Sequence, residues 1–152
     1  MMDHATESYT PIDVLLVEDS PHYARLIQET FRDVNANVNF HMVSDGVEAM
    51  DFLEHPGAAR PRPDLILLDL GMPKMDGREV LAKLKANDDL KTIPTLVLTT
   101  SDMQKDIATS YKLHANSYLQ KPLQLEQLDV LVKSINDFWF TQSKLPEKSQ
   151  FN

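Results

Sequence analysis

A chain of 152 residues with a formal net charge of −8 has the length of one ordinary domain, long enough to bury a core. Its 15 Lys and Arg against 23 Asp and Glu argue against a nucleic-acid surface, which needs clustered cations to neutralise phosphates. The lack of cysteine excludes a disulfide framework, a thiolate metal site and a thiol nucleophile, and with no basic or apolar leader and no apolar stretch of membrane length the expectation is a soluble, cytoplasmic protein.

Residues 1 to 10 are polar and expected to fray. Ile12 to Val17 predicts a first strand, ending in the acidic pair Glu18-Asp19, and Ser20-Pro21 supplies an N-cap and a first helical position. Ala24, Ile27, Phe31 and Val34 then recur at helical spacing. Val38, Phe40 and Met42 alternate with polar residues as a second strand, and a short helix carrying Val47, Met50 and Leu53 is stopped by Pro56-Gly57. Leu65 to Leu68 is a continuous apolar run, the mark of a central parallel strand covered on both faces. Asp69 follows it directly, Pro73 bars helix, and Asp76-Gly77 offers an N-cap for a helix starting at about Arg78, with Val80, Leu81 and Leu84 facing inward.

Thr95 to Leu98 is the fourth strand and ends in Thr99-Thr100-Ser101. Asp102 is placed to cap a fourth helix with Ile107, Ala108 and Tyr111 on one side. Tyr118 to Gln120 is a short fifth strand running into Lys121-Pro122, and the last helix carries Leu125, Leu128, Val132, Ile135 and Trp139 at three-four spacing. The expected organisation is a flexible N-terminus 1–10, one domain 11–140 and a polar tail 141–152 with no output domain.

Strands alternating with helices predict a parallel, doubly wound sheet, for which the common five-stranded order is 2-1-3-4-5. That order makes strands 1 and 3 neighbours, so Glu18, Asp19 and Asp69 meet in one crevice at the carboxyl edge. Taken alone, Asp69 is no more than a polar strand end, and one of the acids after strand 1 could serve as a cap. Both cannot easily do so, since Ser20 already fills that place. Three carboxylates in one pocket repel one another unless a cation sits among them. Mg²⁺ suits the set, since it takes hard oxygens from one or two carboxylates plus phosphate and water, and the carbonyl of Gly71 offers a further oxygen. Thr99 adds a hydroxyl and Lys121 a mobile positive charge at the same edge. These are the parts of a phosphoryl-transfer site whose product is an aspartyl-phosphate on Asp69.

Four blocks, VLLVEDS, LILLDLGMPKMDG, LVLTTS and YLQKP, stand in the order and at the spacing of the response-regulator receiver domain, which the chain resembles from about Ile12 to Asn136. The resemblance implies a flavodoxin-like (βα)5 fold and a signalling domain rather than a turnover enzyme. By position, Asp69 resembles the phosphoacceptor and Asp19 the main Mg²⁺ ligand, with Glu18 assisting through water and the main-chain oxygen of Gly71 completing the protein's share. Thr99 resembles the hydroxyl that swings toward the phosphoryl group, Tyr118 the aromatic switch behind it, and Lys121 the lysine that contacts a phosphoryl oxygen. The same resemblance implies a cis Lys121-Pro122 bond and a histidine kinase as phosphoryl donor. DGREVL, DIATSYKLHANSY and FWFTQSKLP narrow it to the standalone regulators of cyanobacterial phytochromes, which implies a phytochrome-type kinase and an unknown downstream protein reached by surface contacts.

Two departures bear on phosphoryl lifetime: Glu18 replaces the more usual Asp, and Thr100 stands where many members carry a small residue. The enzymatic rival, a Mg²⁺-dependent aspartate-nucleophile phosphohydrolase, commonly needs a second Asp two residues after its nucleophile, where this chain has Gly71. A flavin or nucleotide module would want a phosphate-cradling loop where Glu18-Asp19 stands. The histidines His4, His22, His41, His55 and His114 show no ligand spacing and read as surface residues. Leu131, Phe138 and Phe140 lie beyond the one apolar stripe the last helix needs, so either the tail Thr141 to Asn152 folds back over them or they form a contact surface, and a homodimer through this helix is expected, with the two phenylalanines as anchors.

Overall fold

Five parallel strands alternate with five α-helices in the computed structural model, which describes residues 11–151. The elements are β1 (Ile12–Val17), α1 (Pro21–Val34), β2 (Val38–Val43), α2 (Gly46–Glu54), β3 (Leu65–Leu68), α3 (Gly77–Ala86), β4 (Thr95–Thr99), α4 (Gln104–Lys112), β5 (Ser117–Gln120) and α5 (Leu125–Asp137). The sheet order is β2-β1-β3-β4-β5, all pairs parallel, so β1 and β3 are neighbours as the doubly wound topology requires.

Period-two alternation divides the sheet's side chains between two cores. Leu15, Val17, Ile66, Leu68 and Val97 pack with α2 and α3 on one face. Val14, Leu16, Leu65, Leu67, Leu96 and Leu98 meet Ala24, Ile27 and Phe31 of α1 and Leu128, Val132 and Ile135 of α5 on the other. Every residue of β3 is buried, which is why its sequence is an unbroken apolar run.

Several expectations are corrected. Met42 and Val47 are exposed rather than buried, and so is Leu125, which sits in the open first turn of α5. Asp102 does not cap α4: the N-cap is Met103, whose N–H donates to Ser101 Oγ at 3.2 Å. The buried residues of α4 are Asp106 and Ser110, not an apolar set. Asp106 finds its partners from outside the helix, Arg78 Nη2 at 2.6 Å and Ser101 Oγ at 2.6 Å, while Ser110 Oγ donates to the Asp106 carbonyl at 2.8 Å. His41 is half-buried, with Nε2 2.9 Å from Asp13 Oδ1 and its ring against Phe52. His4 lies outside the described residues.

The expected tail is bound to the domain. After α5 a π-helical turn, Phe138–Gln142, brings Phe140 onto Phe31, with centroids 6.2 Å apart. A 3₁₀ turn, Lys148–Phe151, returns to the base of the sheet, where Lys148 pairs with Asp13 and with Asp64 Oδ2 at 3.5 Å, and Arg62 stacks over Phe151 at 3.8 Å. Phe140 is therefore engaged within its own chain, whereas Phe138 is exposed and Leu131 only partly buried.

Candidate functional site: a carboxylate crevice

Two acids are fixed by extending the sheet's hydrogen bonding one residue past the strand ends. The Glu18 N–H donates to the Val43 carbonyl at 3.0 Å, and the Asp69 N–H to the Val17 carbonyl at 3.0 Å. Both side chains are buried, whereas Asp19 is exposed at the mouth. One oxygen from each of Glu18, Asp19 and Asp69 lies within 4.8 Å of the others. Three converging hard oxygens, two of them withdrawn from water, fit a divalent cation such as Mg²⁺ by donor chemistry and spacing.

The loop after β3 is pinned at both ends. Leu70 and Met72 are buried in the core, and the Leu70 carbonyl accepts from Met72 N–H at 3.1 Å and from Gly77 N–H at 2.9 Å. Gly77 is demanded by close approach: a Cβ there would collide with the Asp69 carbonyl oxygen and come within 2.6 Å of Leu70 Cα. Lys74 takes φ 65°, a left-handed turn, and its ammonium lies 3.4 Å from Asp45 Oδ2. Gly71 meets the crevice through its N–H, which donates to Asp69 Oδ1 at 3.3 Å.

Lys121 closes the crevice from β5. Its Nζ stands 2.7 Å from Glu18 Oε1 and 3.2 Å from Asp69 Oδ2, and its own N–H donates to the Thr99 carbonyl at 2.6 Å. Burial pushes the Glu18 carboxyl above the ordinary carboxylate range, with Lys121 pulling it back. Burial also works against the charge on Lys121, but Glu18 and Asp69 outweigh it and hold the ammonium above its usual range. No peptide bond among the described residues is cis, so Lys121-Pro122 is trans, contrary to what the resemblance implies.

The other expected residues flank this centre. Thr99 is buried at the end of β4, and Thr100 is exposed, its carbonyl accepting from Gln120 Nε2 at 3.2 Å. Tyr118 is half-buried, and its hydroxyl donates to the Ser101 carbonyl at 2.9 Å, the same residue whose hydroxyl holds Asp106. Leu131, Phe138 and Phe140 lie on or beyond α5 and take no part in the crevice.

One neighbour was not singled out from sequence: the ring of Tyr23, 4.7 Å from Lys121 Nζ. The available signal was its place three residues after the Ser20 cap, on the first turn of α1. A cleft of about 650 Å³ between Phe52, Arg60, Leu90 and Phe151 shares no residue with the carboxylates.

The family profile of the response regulator receiver domain matches residues 14–133. The chain is 47% identical over 142 residues to response regulator Rcp1 of Synechocystis sp. (strain ATCC 27184 / PCC 6803 / Kazusa), covering 92% of this chain and 97% of that protein. It is 40% identical to the probable methanogenesis regulatory protein FilR2 of Methanothrix harundinacea (strain 6Ac), over 92% of this chain and 91% of the relative. The crystal structure of the phosphorylated cyanobacterial phytochrome response regulator RcpA superposes with a TM-score of 0.85 at 45% identity, covering 91% of this chain and 100% of that one. The Mn²⁺-bound form of Rcp1 follows at 0.83 and 47% identity, covering 90% and 100%. With the sheet order, the crevice acids and these likenesses together, the chain belongs to the response regulator receiver domain family.

Proposed function

We propose that this chain is a phosphoacceptor of two-component signalling that takes a phosphoryl group from a histidine kinase onto Asp69 and passes the signal on through protein contacts. The observation that carries the reading is the convergence of Glu18, Asp19 and Asp69 at one sheet edge, with the Lys121 ammonium spanning two of them. In the transfer an Asp69 carboxylate oxygen forms a bond to phosphorus while the bond from phosphorus to the donor's imidazole nitrogen breaks. That nitrogen keeps the electron pair and is left as neutral imidazole on protonation. Bound Mg²⁺ would neutralise charge on the phosphoryl oxygens, and Glu18, Asp19, Asp69 and the Gly71 carbonyl are the groups that would hold it. Lys121 supplies the second positive charge, and Thr99 the hydroxyl donor that turns toward a phosphoryl oxygen, with Tyr118 following.

Likeness to Rcp1 and to RcpA, a cyanobacterial phytochrome response regulator, favours a phytochrome-type kinase as the donor. We read residues 11–140 as the receiver unit and expect two copies to pair through α5, with exposed Phe138 as the one remaining anchor, since Phe140 packs on Phe31 of its own chain. The test is mass spectrometry after incubation with Mg²⁺ and a small phosphodonor. One phosphoryl group per chain on Asp69 is expected, lost in Asp69→Asn and slowed in Asp19→Asn. Stoichiometric labelling of Asp69→Asn at another residue, or sustained hydrolysis of ordinary phosphomonoesters, would overturn the assignment. Light scattering of Phe138→Ser tests the pairing, which fails if this variant dimerises as the parent does or if the parent is monomeric with and without phosphate.

A further inference from the structure

The Lys121 ammonium has three N–H bonds, and two have carboxylate partners, Glu18 Oε1 and Asp69 Oδ2. Against it also stands the ring of Tyr23, with its centroid 4.7 Å from Nζ, within the range of a cation–π contact. The ring is held in place from several directions. Tyr23 is the third residue of α1, and its N–H donates to Ser20 Oγ at 3.2 Å. The Ser20 N–H in turn donates to Glu18 Oε2 at 3.1 Å, and the Tyr23 hydroxyl reaches the Pro122 carbonyl at 3.5 Å.

These contacts close into a circuit from Glu18 through Ser20 and Tyr23 to Lys121 and back to Glu18. In a capping box the third helical residue is an acid that reaches back to the N-cap N–H. Here Glu18 already takes that N–H, so the position is free for an aromatic that faces the lysine instead.

We propose that Tyr23 is a positioning residue of the phosphoacceptor site: its ring confines the Lys121 ammonium to the mouth of the carboxylate cluster, and it acts on the phosphoryl group only through Lys121. The proposal rests on the reading of Asp69 as the phosphoacceptor. A lysine side chain has several rotamers open to it, and without the ring the ammonium gains a path into solvent that keeps it from the reacting oxygens. Tyr23 also packs against the core between α1 and α5, so a change in stability alone cannot distinguish positioning from packing.

Wild type is first labelled by a small phosphodonor with Mg²⁺, which tests the phosphoacceptor reading independently. Tyr23→Leu is then expected to label about fivefold more slowly, the loss of a partly desolvated cation–π contact, and Tyr23→Phe to restore the rate. In a Lys121→Met background Tyr23→Leu should add nothing. A second readout needs no activity: in metal-free protein, acylation of Lys121 by acetic anhydride, followed by mass spectrometry against the other lysines, should quicken in Tyr23→Leu and return in Tyr23→Phe. The proposal is overturned if Tyr23→Leu matches wild type in both measurements, if its effect persists without Lys121, or if Tyr23→Phe behaves like Tyr23→Leu. Should wild type not label, the function reading fails while the acylation comparison still decides whether Tyr23 confines Lys121.

Discussion

Lys121 Nζ stands 2.7 Å from Glu18 Oε1 and 3.2 Å from Asp69 Oδ2, so its ammonium contends for the same oxygens a divalent cation would take. Removing it leaves two buried acids facing each other without that compensation. Lys121→Ala should therefore raise Mg²⁺ affinity by about tenfold while slowing phosphodonor labelling. Titration calorimetry checks the first half, and an affinity equal to or below wild type would count against this picture.

Gly77 bears on the site through shape rather than chemistry. A methyl group there meets the backbone of Asp69 and Leu70, which cannot swing aside as the tip of a side chain could. Gly77→Ala should cost about 3 kcal/mol by overpacking and slow labelling at the same time. Denaturant melts and the labelling rate together test this. A variant as stable as wild type would mean the loop yields more readily than its hydrogen bonds imply.

Asp106 links stability to pH. The Ser101 hydroxyl, and then the Arg78 guanidinium, hold its carboxyl below the ordinary value of 3.8. A depressed folded-state pKa gives stability that is fully present above the unfolded value and lost as pH falls through the folded one. Asp106→Asn should thus melt lower than wild type at neutral pH, and the gap should narrow as the pH drops below 3.8. A gap that stays constant into acid would show that the charge on Asp106 contributes nothing.

At the base of the sheet Lys148 is the cation for Asp13 and Asp64, whose carboxylates otherwise repel; Asp64 Oδ2 also accepts the Asp13 N–H at 2.9 Å. The lysine is about a third exposed, so solvent screening discounts the pair, and Lys148→Met should cost about 1 kcal/mol. Adding Asp64→Asn should recover part of that, as thermal melts of the single and double variants would reveal. Phosphodonor labelling should not change in either.

What was legible in the sequence was set by continuous or adjacent residues. Leu65 to Leu68 had to be a central strand because nothing in it could face water, and once β3 lay beside β1 the acids at their ends had to meet. What stayed hidden depended on partners far along the chain. Sequence spacing points to Ile107, Ala108 and Tyr111 as the inner face of α4, whereas polar Asp106 is buried there because Arg78, 28 residues earlier, makes its burial tolerable. Lys148 reads as a solvated tail charge until the fold sets it against Asp13, 135 positions away. Phe140 read as surplus because the π-helical turn that carries it back to Phe31 has no periodic signature.

The return of Lys148–Phe151 to Asp13 and Asp64 brings the two ends of the described chain together at the edge of the sheet remote from the acids. Such an arrangement tolerates circular permutation. A short linker from the 3₁₀ turn to the start of β1, with new ends opened in the exposed turn where Gly57 pairs with Arg60, would leave every strand order and the whole carboxyl edge untouched.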